Sequence, residues 1–73
     1  MCLAIPGRVV RIDRKALIAL IDYNGLKKTA STMLMPETAP NDYVLVHAGF
    51  IIQIIDEDYG KDLSKLTEEL GLV

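Results

Sequence analysis

Cysteine, histidine and aromatic residues are scarce in this chain. It contains one cysteine, Cys2, one histidine, His47, no tryptophan, and only three Tyr and one Phe. A disulfide within the chain is therefore excluded. A closed zinc site needs four protein ligands, mostly Cys and His, and one copy of this chain does not supply them. The sequence also lacks the two-histidine helix of metalloproteases and the glycine-rich loop that binds phosphates.

Clustered positive charge and long apolar runs are missing as well. The formal net charge is −2, and Lys27 and Lys28 are the only adjacent basic residues, whereas a nucleic-acid-binding surface needs a clustered basic face. The longest apolar runs, around residues 17–21 and 50–55, are far shorter than the roughly 20 residues that span a bilayer. No signal peptide is visible, and a lone cysteine suits a reducing compartment. We therefore expect a cytoplasmic protein.

What remains is the pattern of a small β protein in a single domain of residues 1–73. Apolar segments of strand length alternate with turn residues and predict strands near residues 7–12, 16–21, 26–34, 43–46 and 50–55. Asn24-Gly25 is the strongest hairpin signal, and Gly49 predicts a bulge or bend that helps the sheet to curl. We predict a mostly antiparallel barrel over about residues 7–56, preceded by a flexible arm, residues 1–6.

The last segment has a different period. Leu63, Leu66 and Leu70 recur at three- and four-residue spacing with charged residues between them, which predicts an amphipathic helix over about residues 58–70. Gly71 is a suitable residue to end it. We expect these three leucines to pack on the barrel, with a partner-binding stripe as the alternative.

The position of Cys2 directly after Met1 is the main chemical feature. Removal of Met1 would leave a thiol and a cationic α-amino group on one residue, and a nearby cation lowers the pKa of a thiol. An exposed thiolate on a flexible arm is a soft metal ligand and a good nucleophile. The alternative is a lone cysteine without chemistry.

Two segments resemble a known family. The N-terminal run supplies Met1, Cys2, Pro6, Gly7, Arg8 and Val9, and a second segment covers residues 42–50. Together they resemble the HypC/HupF-type NiFe-hydrogenase assembly chaperones over nearly the whole chain. Asn41 stands where such proteins usually carry glycine, but Asn tolerates the left-handed conformation better than most residues.

The resemblance implies a small OB-like barrel and a chaperone that is not an enzyme. Such proteins pass iron carrying cyanide and carbon monoxide, the Fe(CN)2CO group, from a HypD-type partner to the hydrogenase large-subunit precursor. It implies that Cys2 binds the iron transiently, with no permanent cofactor. His47 is expected either to contact the iron or to act as a partner of the thiolate, against the alternative of a structural strand histidine. The residues expected to bind partners are Cys2, Leu3, Ile5, Pro6, Gly7 and Arg8.

Two other functions compete with this interpretation. One is an OB-like or SH3-like module that binds peptide or nucleic acid. Acidity and the few aromatic residues disfavour it, because nucleic-acid OB-folds stack bases on aromatic side chains. The other is an enzyme that uses Cys2 as a nucleophile, although no oxyanion hole is indicated.

Overall fold

A computed structural model describes residues 4–71 and contains five strands and one helix. These elements are β1 (Ile5–Asp13), β2 (Ile18–Tyr23), β3 (Leu26–Ser31), β4 (Tyr43–His47), β5 (Phe50–Ile55) and α1 (Glu57–Glu69). The strands close into a barrel in the order β1-β2-β3-β5-β4. The predicted fold class, a mainly β antiparallel barrel with a C-terminal helix, is confirmed.

The barrel core comes from alternation along the strands. In β2 and β4, buried and more exposed residues alternate without a break, so one set of side chains points inward. The fully buried apolar side chains are Val9, Ala19, Ile21, Val44 and Ile51. Ile5, Ile12, Met35 and Ile54 pack against this cluster.

Several element boundaries differ from the predicted ones. β1 begins at Ile5, so Ile5 and Pro6 belong to the barrel rather than to an arm that ends at residue 6. β3 ends at Ser31 instead of residue 34, because Met33 and Leu34 are more than half exposed and do not continue the inward alternation. The predicted flexibility of the arm concerns residues 1–3, which lie outside the described range.

All four connections between the strands contain residues in the left-handed backbone conformation, and Leu17, with φ of 57°, is the one between β1 and β2. Asn24 and Gly25 have φ of 55° and 103°, which confirms the hairpin between β2 and β3. Ala48 and Gly49, with φ of 52° and 84°, form the tight connection between β4 and β5. Asn41 has φ of 73°, so the residue that departs from the family pattern adopts the conformation that glycine would favour.

The sheet curls at two irregularities away from Gly49. The register shifts between Val9 and Arg11 where β1 pairs with β2, and between Leu45 and Val46 where β4 pairs with β5. The sequence predicts a bulge or bend at Gly49, and the structure has a tight turn there. The bulges lie within the strands. Bulges increase local twist and bend the strand, which helps a five-stranded sheet to close.

Helix α1 packs on the barrel through small residues, not through its leucines. Its buried residues are Gly60, Ser64 and Thr67, whereas Leu66 and Leu70 are 51% and 64% exposed. A Cβ at Gly60 would collide with the Cβ and ring of Tyr43, so the helix lies too close to β4 for a larger side chain. The prediction that all three leucines pack on the barrel is wrong. Gly71, with φ of 72°, follows the helix as predicted.

Candidate functional site

The strand pairing carries the N-terminal segment toward His47. β1 runs antiparallel to β4, with Ile5 opposite Val46 and Pro6 opposite Leu45. One further step along this register brings Ala4, the first described residue, toward His47. The sequence alone did not reveal this proximity, because it depends on which strand pairs with β1. Cys2 and Leu3 lie outside the described residues.

His47 is the last residue of β4 and faces away from the core. Val44 and Val46 are buried, and Tyr43, Leu45 and His47 alternate with them as half-buried residues. His47 has an interaction partner and lies opposite Phe50 across the β4–β5 hairpin. His47 thus lies on the outer wall of the barrel, beside the point where the N-terminal segment joins it.

The described part of the N-terminal run, residues 4–8, is built into the barrel wall. Pro6 and Gly7 are both buried, and a Cβ at Gly7 would collide with Ile21 and press on the ring of Tyr23. Gly7 therefore permits the close approach of β1 to the core side of β2. Burial gives Pro6 and Gly7 a packing role, and Ile5 packs against the core cluster. The partner contacts expected for these residues stay a prediction.

Arg8 connects this run to two neighbouring segments. Its Nη1 donates a hydrogen bond to Oδ1 of Asn41 at 3.2 Å, and its Nη2 lies 3.8 Å from a carboxylate oxygen of Asp22. The Arg8 side chain is 39% exposed, so solvent screens the ion pair and its contribution to stability is small. Arg8 ties the start of the barrel to the segment before β4 while keeping part of its guanidinium accessible.

An exposed apolar surface continues outward from His47. Across neighbouring strands His47 lies opposite Phe50, Phe50 opposite Ser31, and Ser31 opposite Ile18. Phe50 and Ile18 are 39% and 41% exposed. The amide of Thr32 donates to the carbonyl oxygen of Leu17 at 2.8 Å, which brings two further exposed residues, Leu17 and Met33, to the edge of this row. We call Leu17, Ile18, Met33 and Phe50 the apolar patch.

The apolar patch was missed by sequence reasoning. Ile18 lies in a continuous apolar run and so does Phe50, so neither run shows the alternation that separates inward from outward residues. A groove of about 250 Å³ adjoins the patch and is lined by Arg11, Ile12, Asp13, Ile18, Leu20 and Thr29. The barrel therefore presents apolar surface to solvent on the side where His47 and β5 meet.

Within residues 4–71, no group of three or more His, Cys, Asp and Glu side chains is placed to hold a metal ion. His47, the single histidine of the chain, therefore does not form a ligand cluster with acidic residues of this range. In the same range, no helix is long and apolar enough to cross a membrane.

Two titrating groups in the described region have shifted pKa values. Burial raises the pKa of the Tyr23 phenol above its usual value of 10.0, because the phenolate loses hydration in the barrel. A hydrogen bond from the Lys61 ammonium to Glu57, followed by the charge of that carboxylate, raises the pKa of Lys61. Neither group lies next to His47 in the strand pairing.

Comparison with known proteins agrees with the family resemblance of the N-terminal run. The HupF/HypC family profile matches residues 1–67. The chain is 38% identical to the hydrogenase maturation factor HypC of Synechocystis sp. over 76 residues, covering 99% of this chain and 100% of that protein. It is 39% identical to HypC of Cupriavidus necator, covering 100% and 80% of the two chains. It is 36% identical to the hydrogenase maturation factor HybG of Escherichia coli K12, covering 84% and 80%. This chain belongs to the HupF/HypC family.

Proposed function

We propose that this protein is a hydrogenase maturation chaperone that carries iron by transient ligation and acts through protein–protein contacts, without catalysis of its own. The observation that carries the proposal is the pairing of β1 with β4, which leads the N-terminal segment to His47 beside the apolar patch. The start of β1, the imidazole of His47 and an exposed apolar surface are then grouped at one part of the barrel, and Cys2 precedes Ala4 by two positions in the sequence. Relatives named hydrogenase maturation factor HypC support a role in hydrogenase maturation.

Cys2 is the proposed iron ligand. One residue, Leu3, separates Cys2 from Ala4 in the sequence, and two steps of chain span at most about 7 Å. We therefore propose that the Cys2 thiolate reaches the neighbourhood of His47 without any rearrangement of the barrel. The cargo is the Fe(CN)2CO group, in which two cyanides and one carbon monoxide occupy three coordination positions of the iron. The thiolate would supply one further ligand and a partner protein would complete the site, so handover would exchange the iron–sulfur bond for a bond to the acceptor.

The proposed partners are a HypD-type maturation protein and the hydrogenase large-subunit precursor. Exposed apolar surface on a small protein can mark a site for another protein, and the apolar patch begins next to His47, toward which β1 leads the N-terminal segment. A partner docked there would exclude water around Cys2 during transfer. We place this exchange in the cytoplasm, where an unpaired reactive thiol stays reduced.

Replacing Cys2 with alanine tests the ligand assignment. We expect Cys2→Ala to keep its melting temperature, to lose co-purification with both partners, and to lose the infrared bands of iron-bound cyanide and carbon monoxide. The control is Glu37→Ala, an exposed substitution in the connection between β3 and β4, outside the groove and the apolar patch, that should behave as wild type in all three measurements. Normal hydrogenase maturation in cells that carry only Cys2→Ala would refute the proposal.

His47 offers a second, separable test. We favour a thiolate that holds the iron without His47, because strand histidines are usually structural and a carrier gains from having few protein ligands. His47→Ala should then leave the iron content of the purified, co-expressed protein nearly unchanged. Iron loss equal to that of Cys2→Ala, in a variant that remains folded, would make His47 a ligand instead.

A further inference from the structure

Helix α1 carries an apolar seam that the barrel does not cover. Residues 59, 63, 66 and 70 are Tyr, Leu, Leu and Leu, and their four-three-four spacing is that of the a and d positions of a coiled coil. Tyr59, Leu66 and Leu70 are 57%, 51% and 64% exposed, and Leu63 is partly buried. We call these four residues the helix seam.

The orientation of the helix is held by contacts on the adjacent face. Gly60 lies against Tyr43 with no room for a Cβ, and Nδ2 of Asn24 donates to the carbonyl oxygen of Ser64 at 2.8 Å. Rotating the helix to bury its leucines would bring larger side chains to the position of Gly60 and break the bond from Asn24. The seam is therefore exposed by the packing itself, next to the line where helix and barrel meet.

The charge bordering the seam indicates what covers it. In the heptad register the residues after Tyr59 and Leu66 are Gly60 and Thr67, both buried against the barrel. The residues before Leu63 and Leu70 are Asp62 and Glu69, both exposed. Asp58 and Lys65 lie on the same side of the helix, farther from the seam than Asp62 and Glu69. Lys61 lies on a different side, where it pairs with Glu57 at 3.2 Å. The open flank of the seam is thus acidic.

We infer that the helix seam docks an amphipathic helix of a partner protein whose apolar stripe is bordered by Lys or Arg. A second copy of this chain is disfavoured, because antiparallel seams would place Asp62 and Glu69 opposite each other and parallel seams would pair them with residues covered by the barrel. An anionic membrane surface is disfavoured because it attracts helices with a basic polar face. The inference uses a different surface from the proposed iron transfer and stands apart from it.

The test uses two synthetic 21-residue peptides with Leu at every a and d position, one with Lys and the other with Glu at every e and g position. Binding to the full-length protein is followed by fluorescence anisotropy at low salt, and the contacted residues are mapped by NMR. We expect the Lys peptide to bind about tenfold more tightly than the Glu peptide, since a few exposed ion pairs amount to that factor. Added salt should reduce the preference.

Three variants locate the interaction. Leu66→Gln should weaken binding of the Lys peptide without changing the melting temperature, because the side chain is half exposed. The double variant Asp62→Lys, Glu69→Lys should reverse the preference in favour of the Glu peptide. Lys61→Gln, on a different side of the helix, is the control and should retain the preference.

Several results would overturn the inference. Equal affinity of the protein for the two peptides would do so, and so would the lack of saturable binding of either peptide. Peptide-induced NMR shifts confined to residues outside the helix seam would do so as well. A dimer in sedimentation experiments that Leu66→Gln dissociates would assign the seam to a second copy of this chain. Seam-dependent binding to vesicles of anionic lipid would assign it to a membrane.

Discussion

Gly7 illustrates how one residue of the N-terminal run serves the barrel. The Pro6-Gly7 pair lies where the sequence predicts that a flexible arm, residues 1–6, meets the barrel. The atoms that require the glycine, in Ile21 and Tyr23, lie on another strand and are not visible in the local sequence. Local composition could predict that this position is special, but only the β1–β2 packing explains why.

Tyr23 makes stability depend on pH in the alkaline range. Burial raises the pKa of its phenol in the folded protein, whereas in the unfolded chain the pKa is about 10. The folded state therefore binds the phenolic proton more tightly. This contribution to stability is fully present below about pH 10 and is lost as the pH rises through the raised pKa.

We expect the free energy of unfolding of the wild type to decrease steeply above pH 10, and Tyr23→Phe to show a shallower decrease. Denaturant titrations at a series of pH values measure both. Tyr59→Phe is the control, because Tyr59 is 57% exposed and its substitution should leave the wild-type slope. Identical slopes for Tyr23→Phe and the wild type would contradict the assignment.

At the scale of elements, period and turn chemistry predicted all five strands and the helix. Boundaries moved by a few residues, because strand ends depend on pairing partners. The buried face of α1 could not be predicted from hydrophobicity. Leucines at helical spacing normally mark the packed face, but here the contact requires small residues, since Tyr43 occupies the space next to Gly60. The close approach of α1 to β4 therefore sets the orientation of the helix, although this orientation leaves Leu66 and Leu70 exposed.

Paired substitutions in α1 test this orientation. Gly60→Ala gains about 1 kcal/mol of helix propensity, but the added Cβ must displace the Cβ and ring of Tyr43, atoms close to the β4 backbone. Overpacking costs about 1–3 kcal/mol and occasionally more, so we expect a net loss of stability. Leu66→Ala should change the free energy of unfolding by about 0.5 kcal/mol or less, as for a surface residue. Thermal denaturation measures both variants, and Gly60→Ala should melt at a lower temperature than Leu66→Ala. If Leu66→Ala were the less stable of the two, the leucines would face the barrel.

At the scale of the whole molecule, the decisive features are long-range pairings. The N-terminal motif and the segment around His47 were each visible in the sequence, but their proximity follows from Ile5 lying opposite Val46. The apolar patch likewise arises because β3 meets β5, so that Ser31 joins Ile18 to Phe50. No local pattern encodes which strands become neighbours, so the composition of the site was predictable and its arrangement was not.

The closure of the barrel between β3 and β5 is expected to be its weakest line. These strands run parallel and are matched at a single pair, Ser31 opposite Phe50, whereas β2 and β3 are matched from Ile18–Ser31 to Tyr23–Leu26. The amide of Ser31 donates to the carbonyl oxygen of Gly49 at 2.7 Å. With so few neighbouring bonds, this line can open while the rest of the barrel stays folded.

Native-state hydrogen exchange tests this expectation. The Ser31 amide should exchange through a local opening, with a protection free energy below that of global unfolding and little dependence on dilute denaturant. The control is the amide of Val9, a fully buried residue, which donates to the carbonyl oxygen of Asp42 at 2.8 Å and should exchange close to the global limit. Equal protection of the two amides would show that the barrel opens as one unit. Because Ser31 lies between Ile18 and Phe50, a partner bound to the apolar patch should slow exchange at Ser31 more than at Val9.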